Sequence, residues 1–176
     1  TIELFYKLRQ ETPIDDVGHA YHALFFNRTT FSGIARSGPI GGKDQKSKYK
    51  VDCRYNTEKL QKKIIECHNL LKDRTIVTCQ DFSEHEQFIN TDYVTYVDPP
   101  YWVAGSSLYP VYMIKEEHQK LDELLKSKQN WILSYDDCSE IRNMYQDNTI
   151  INLATRYCID GKKENWKSKN ELIILP

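Results

Sequence analysis

Tyr93-Val94-Thr95-Tyr96-Val97-Asp98-Pro99-Pro100-Tyr101 is the stretch whose reading decides the fold. Five β-branched or aromatic residues in succession predict a strand, and the two prolines that follow stop it, because neither can donate an N–H to a neighbouring strand. Working outward, residues 75–79 and 131–135 are similar short runs and predict two more strands, while residues 83–88 and 116–126 carry helical patterns between them. Strands separated by helices predict a parallel sheet. A short helix is expected near residues 139–145. The apolar runs 149–153 and 171–175 leave no room for a helix between them, only a polar, glycine-containing stretch, and so predict an antiparallel pair at one sheet edge. Ligands of open parallel sheets lie beyond the carboxyl ends of the strands, which puts residues 98–101 at the mouth of a site.

The first half of the chain has a different character. A helix is predicted from Asp15 or Asp16 to the end of the run 21–27. Another is predicted from 57 to 71, with Leu60, Ile64, Cys67 and Leu71 at helical spacing and Thr57 as its N-cap. Between them, residues 28–55 hold Gly33, Gly38, Gly41 and Gly42 without a long apolar period, which predicts a loop-rich insertion suited to binding, with 38–50 its most mobile part. The expected division is therefore residues 1–71, a helical and loop-rich region, and residues 72–176, an α/β part.

Composition narrows the function classes. The 176 residues are 40% hydrophobic, enough for a buried core, and no apolar run approaches the roughly 20 residues that cross a bilayer. The first residues lack the regions of a signal peptide, and a soluble, cytoplasmic protein without membrane or metal partners is expected. Cys53, Cys67, Cys79, Cys138 and Cys158 are scattered and odd in number, which argues against zinc and disulfides. His19, His22, His68, His85 and His118 show no ligand spacing and are expected on the surface or on helices. Net charge is −1, yet residues 36–63 carry nine basic against three acidic side chains. That excess suits a phosphate-facing surface and equally a solvated lysine-rich loop.

The residue types at 98–101 answer one chemical problem. An exocyclic aromatic amine is a poor nucleophile because its lone pair is delocalised into the ring. Asp98 and the Pro99 carbonyl can each accept one N–H of such an amine, localising the lone pair and stabilising the developing positive charge. Pro99 and Pro100 hold the loop rigid, and Tyr101 offers an aromatic face for a base extruded from a duplex. The competing reading is a proline turn after a core strand, with Asp98 as a local cap.

This tetrad after a strand resembles the D-P-P-Y motif of the Dam-type, D12 class of adenine-specific DNA methyltransferases. Phe25-Phe26-Asn27-Arg28-Thr29-Thr30-Phe31-Ser32-Gly33 resembles that family's aromatic-Asn-Arg-x-x-aromatic-x-Gly signature. Weaker agreements are the run 117–121, Leu133-Ser134, Arg156 and the run 171–174. The resemblance implies a Rossmann-like S-adenosylmethionine-dependent methyltransferase sheet of α/β class, present in part, with an inserted loop- and helix-rich DNA-recognition region. It implies transfer of methyl from S-adenosylmethionine to adenine N6 in double-stranded DNA, with Asp98, Pro99, Pro100 and Tyr101 as catalytic residues. Asp81, Phe82 and Asp98 become cofactor-binding residues, although Asp81 or Ser83 as a helix N-cap explains that position equally well. Asn27, Arg28, Gly33, Arg36 and Lys43 become DNA-binding residues, with a helix terminus as the other account of Asn27 and Arg28. The family's aromatic-x-Gly-x-Gly cofactor element has no counterpart before Asn27, so the chain is expected to be the larger part of such an enzyme. A catalytically silent DNA-binding remnant, or a methyltransferase acting on cytosine N4 or RNA, are the alternatives. Tyr135, Asp136 and Asp137, at the end of a predicted strand, could sit near the site, but two carboxylates there also cap the next helix well, and structural use is the favoured reading.

Overall fold

The computed structural model describes residues 1–84, 92–109, 111–157 and 167–176. His85, the remainder of the helical pattern at 83–88, Cys158 and most of the connection before residue 171 lie outside the described residues. Two compact units divide the chain, Thr1–Thr78 and Cys79–Pro176.

The first unit opens with a helix absent from the sequence reading, α1 (Ile2–Gln10), whose N-terminus is capped by the Thr1 hydroxyl accepting from the Leu4 amide at 3.3 Å. Helix α2 (Asp16–Thr29) begins as expected, with the Asp15 side chain accepting from the Gly18 amide at 2.7 Å. Phe5 and Leu8 of α1 pack with Phe25 of α2 and Val51 in a small aromatic core, to which Phe26 and Tyr55 add. Arg9 lies over the Phe26 ring at 4.4 Å, a cation–π contact, while its guanidinium donates to the carbonyls of Ala35 at 2.5 Å and Ser37 at 2.9 Å. The loop after α2 is thus fastened from the opposite end of the unit's sequence.

Residues 38–50 are tied together around Gln45. Its amide nitrogen donates to Ile40 and Gly42 carbonyls at 2.8 and 2.6 Å, its oxygen accepts from the Val51 amide at 2.8 Å, and its own carbonyl accepts from Lys50. Helix α3 (Thr57–Leu71) has the predicted span, but the cap is Asn56, whose side chain accepts from the Lys59 amide at 2.9 Å. Thr57 is the first helical residue instead, because the carboxamide one position earlier reaches the free amide first. No residue of α3 is buried, and Ile64, Ile65, Leu70 and Leu71 are exposed, so its apolar stripe is uncovered among the described residues.

In the second unit a mixed α/β arrangement is built on four strands in the order β1-β2-β4-β3. β1 (Thr95–Val97) runs parallel to β2 (Trp131–Asp136), with Val97 opposite Leu133. The connection between them carries α4 (Gly105–Leu108) and α5 (Lys115–Lys126), as a parallel crossover requires. α5 buries Leu121 and Leu125 against Leu133, Tyr135, Leu172 and Ile174 of the sheet. Its start is held by Glu117, which accepts from the Ile114 amide at 2.8 Å, and its end by Trp131, whose indole N–H reaches the Leu125 carbonyl at 3.1 Å. After α6 (Ser139–Met144), β3 (Thr149–Tyr157) and β4 (Lys167–Leu175) form the expected antiparallel pair, with β3 at the sheet edge. The sheet is parallel only between β1 and β2, because β4 inserts antiparallel beside β2.

One predicted strand does not form. Residues 75–79 have no regular structure, and Ile76 and Val77 are 89% and 87% exposed. Branched residues suit a strand only where a neighbour pairs their backbone and covers one face, and no strand among the described residues does either for this run. Residues 82–84 form a short turn of 3-10 type, not the start of a described α-helix.

Candidate active site

β1 delivers Asp98 at its carboxyl end, where the strand reading placed it. Side chains alternate across a sheet, so Tyr96 and Asp98 share the face opposite to that of Thr95 and Val97, and Ser134 lies beside Asp98 one register step beyond the Val97–Leu133 pair. The Asp98 carboxylate is exposed. The Ser134 hydroxyl donates to Asp98 Oδ1 at 2.8 Å and accepts from the Tyr96 hydroxyl at 3.0 Å.

Pro99, Pro100 and Tyr101 are half-buried. The Tyr101 ring lies 6.0 Å from that of Tyr135, and burial pushes its phenol up to about 12; nearness to the Ser134 hydroxyl works against that rise, and the charges of Glu171 and Asp98 add to it. Tyr101 is thus a neutral ring through the pH range of ordinary assays. The backbone then turns into α4, and the Gly105 amide donates to the Tyr101 carbonyl at 2.8 Å. A Cβ on Gly105 would stand 3.2 Å from both the carbonyl carbon and Cβ of Pro100, so glycine permits the close approach that folds this loop against its own prolines.

Asp136, at the end of β2, holds the same loop from inside. It is 3% exposed, and its Oδ2 accepts from the amides of Val103 at 2.8 Å and Ala104 at 3.2 Å. The expectation that Asp136 and Asp137 cap α6 is replaced by two different structural uses. Asp136 clamps the loop after the tetrad, and Asp137 forms a paired contact with Arg142 of α6 at 2.6 and 3.0 Å, which holds its carboxyl below the usual range. Arg142 also donates to Asn152 of β3.

His118 is on a helix as expected, yet it is buried, with Nδ1 2.6 Å from the Tyr135 hydroxyl and its ring 4.9 Å from that of Trp102. Burial depresses its basicity, with the Asp136 charge opposing. It forms the floor beneath the residue next to Tyr101. Sequence reasoning missed Ser134 and His118 as neighbours of the tetrad, while it allowed Asp136 a place near the site; the alternation of side chains along β2 was the available signal for Ser134, given the register.

The other candidates fall as follows. Asp81 Oδ1 accepts from the Ser83 amide and hydroxyl at 2.9 and 2.5 Å, which holds its carboxyl low, so its observed work is to cap a turn. Phe82 is half-buried against the core, with the Lys120 ammonium 5.7 Å from its ring centre. In the first unit Asn27 lies at the end of α2 and its carbonyl accepts from Arg54 at 3.1 Å. Gly33 has φ of +75°, and a Cβ there would meet the Asn27 carbonyl oxygen at 3.2 Å and its side-chain nitrogen at 3.3 Å. The Asn-Arg-to-Gly spacing thus has a local cause: a helix end, a turn and a glycine that lets the turn fold onto Asn27. Arg28 is half-buried and its Nε has no hydrogen-bond partner among the described residues. Arg36 and Lys43 are exposed. Of the basic excess, Arg54 and Lys50 donate to backbone carbonyls of their own unit.

Among the described residues no group of three acidic, histidine or cysteine side chains could hold a metal ion, and no helix is long and apolar enough to cross a membrane. No curated protein sequence matches the chain. Residues 1–159, which include both the Asn27-to-Gly33 run and the Asp98-to-Tyr101 tetrad, match the model of the D12 class N6 adenine-specific DNA methyltransferases, and the chain belongs to that methyltransferase family.

Proposed function

We propose that this chain carries the catalytic and DNA-reading parts of an enzyme that methylates adenine N6 in double-stranded DNA in the cytoplasm, with S-adenosylmethionine as donor. The observation that supports it best is an exposed carboxylate at the exit of a strand, gripped on one oxygen by a buried hydroxyl and followed by a proline-stiffened loop. In this reading residues 72–176 are a partial Rossmann-like methyltransferase sheet, and residues 1–71 are an inserted recognition region.

The residues present fit the cofactor by type. An adenosyl group needs an apolar aromatic face and carboxylates near its polar and cationic parts, and Phe82, Asp81 and Asp98 supply these at the second unit, with Asp81 already sharing one oxygen with Ser83. The bound cofactor would supply an electrophilic methyl group. Asp98 and the Pro99 carbonyl each accept one N–H of the target amine, which draws its nitrogen towards tetrahedral geometry and steadies the positive charge that develops there. Pro100 keeps that carbonyl from turning, and Tyr101, neutral and held against Tyr135, stacks on the extruded base. Asn27, Arg28 and Gly33 shape the DNA-facing loop, and Arg36 and Lys43 meet phosphates or a guanine edge.

Replacing Asp98 by Ala tests this in the protein supplied with a complete cofactor site. Incorporation of labelled methyl into DNA should be lost, S-adenosylmethionine affinity should stay within a few-fold, and digestion of DNA methylated by the parent should yield N6-methyladenine. Undiminished transfer by the variant would refute the assignment.

A further inference from the structure

We infer that Ser134 is a positioning residue of the methylation site, the member of a hydroxyl relay Tyr96–Ser134–Asp98 that holds the Asp98 carboxylate in the orientation that meets the target amine. The inference rests on the reading of Asp98 as amine acceptor and deepens it.

The geometry leaves the serine few choices. Ser134 is 2% exposed, so water does not compete for its hydroxyl. A serine hydroxyl has one proton and two lone pairs. The proton goes to Asp98 Oδ1, and one lone pair takes the Tyr96 O–H. A single buried group therefore joins the first member of the tetrad to a tyrosine two residues upstream on the same strand face.

Oδ1 of Asp98 accepts from Ser134, and in this proposal Oδ2 is the acceptor offered to the target amine. An ionised carboxylate has two equivalent oxygens, and an exposed one rotates freely between them. The hydroxyl from below limits that freedom: turning the carboxylate away would leave the buried Ser134 hydroxyl without its acceptor, a loss that water does not make good at a position 2% exposed. The target N–H then meets an acceptor already aligned, so the entropy of aligning it is lost before the base arrives and not in the transition state. Tyr96 acts one step further out. By donating to Ser134 it fixes the hydroxyl rotor with its proton towards Asp98, which a serine alone does not do. Ser134 does not itself touch substrate in this arrangement, so its effect should be on turnover, with binding unchanged.

The test compares Ser134→Ala, Tyr96→Phe and their combination with the parent enzyme, reading single-turnover methylation, KM for DNA, cofactor affinity and thermal melting. Ser134→Ala should slow methyl transfer by about ten- to a hundredfold, the worth of one hydrogen bond to a charged group, with KM and cofactor affinity within about twofold. Tyr96→Phe, at an exposed position where packing is little disturbed, should slow it by about two- to fivefold, and should add nothing further to Ser134→Ala, since it acts only through the serine. Should Ser134→Ala melt early, Tyr96→Phe carries the test alone. Parental turnover in either folded variant, losses in the two that multiply, or a loss seen in KM and not in turnover overturns the relay. Asp98→Ala in the same assays separates the two levels: parental turnover there defeats the site reading itself, whereas its loss alongside parental turnover in Ser134→Ala defeats the relay alone.

Discussion

Replacing Asp136 by Ala removes the acceptor that holds the loop after the tetrad from within the sheet. The carboxylate accepts one short bond from Val103 and one longer bond from Ala104, and it is nearly fully buried. Hydrogen bonds to a charged group contribute about 1.5–3 kcal/mol each, the 3.2 Å bond at the low end, so the pair contributes on the order of 3–5 kcal/mol. Against that stands the desolvation of a carboxylate whose other oxygen has no hydrogen-bond partner among the described residues, which the alanine relieves. The net destabilisation is about 2–3 kcal/mol, which for a chain of this length lowers the melting temperature by roughly 4–12 °C. Circular dichroism melting gives the stability. Methylation at a temperature where the variant is still folded gives the second readout, which should fall by more than about tenfold because a loosened loop no longer presents Asp98 and Tyr101 together. A melting temperature within about 2 °C of the parent, together with unchanged methylation, would refute the clamp.

Two further outcomes are expected. Burial depresses the basicity of His118, so the unfolded chain binds its proton more readily than the folded one, and stability falls as pH drops below the unfolded value of 6.5. The loss of melting temperature between pH 7 and pH 5 should be smaller in His118→Gln than in the parent, and an equal loss would show that other groups carry it. Gly33→Ala forces a side chain to φ of +75° and within 3.2 Å of the Asn27 carbonyl oxygen. It should cost about 1–2 kcal/mol and speed exchange of the Phe31 and Ile40 amides about tenfold or more, and unchanged exchange would contradict the account of that glycine.

Much of this molecule was legible because its signals are local. Two prolines after a β-branched run mark a strand exit wherever they occur, and α2, α3, α5 and the β3–β4 pair follow from apolar spacing and caps. What failed was set by distant partners. Ile76 and Val77 have strand composition, but composition does not supply the neighbour a strand needs, and the run stays irregular. Helix α1 was also legible, with Ile2, Phe5 and Leu8 three residues apart and Thr1 as its cap, and the sequence reading passed over it. Asn56 and Thr57 are both good caps, and sequence does not choose between adjacent ones. The links that order the candidate site join residues 36 positions apart for Ser134 and Asp98, and 33 for Asp136 and Val103. Alternation fixes which residues share a face of each strand, yet only the register between β1 and β2 says which of them meet.

The position of β4 constrains how this protein is made. Its strand lies between β2 and β3, and it contributes Leu172 and Ile174 to the centre of the core. While the ribosome is still adding residues before 167, β2 and β3 have no partner in common, and Leu133 and Tyr135 lack the Leu172 and Ile174 side chains that complete their cluster. The unit that carries Asp98 therefore reaches its native packing only after β4 has left the exit tunnel, whereas the aromatic core of the first unit, complete by Tyr55, is free to form much earlier.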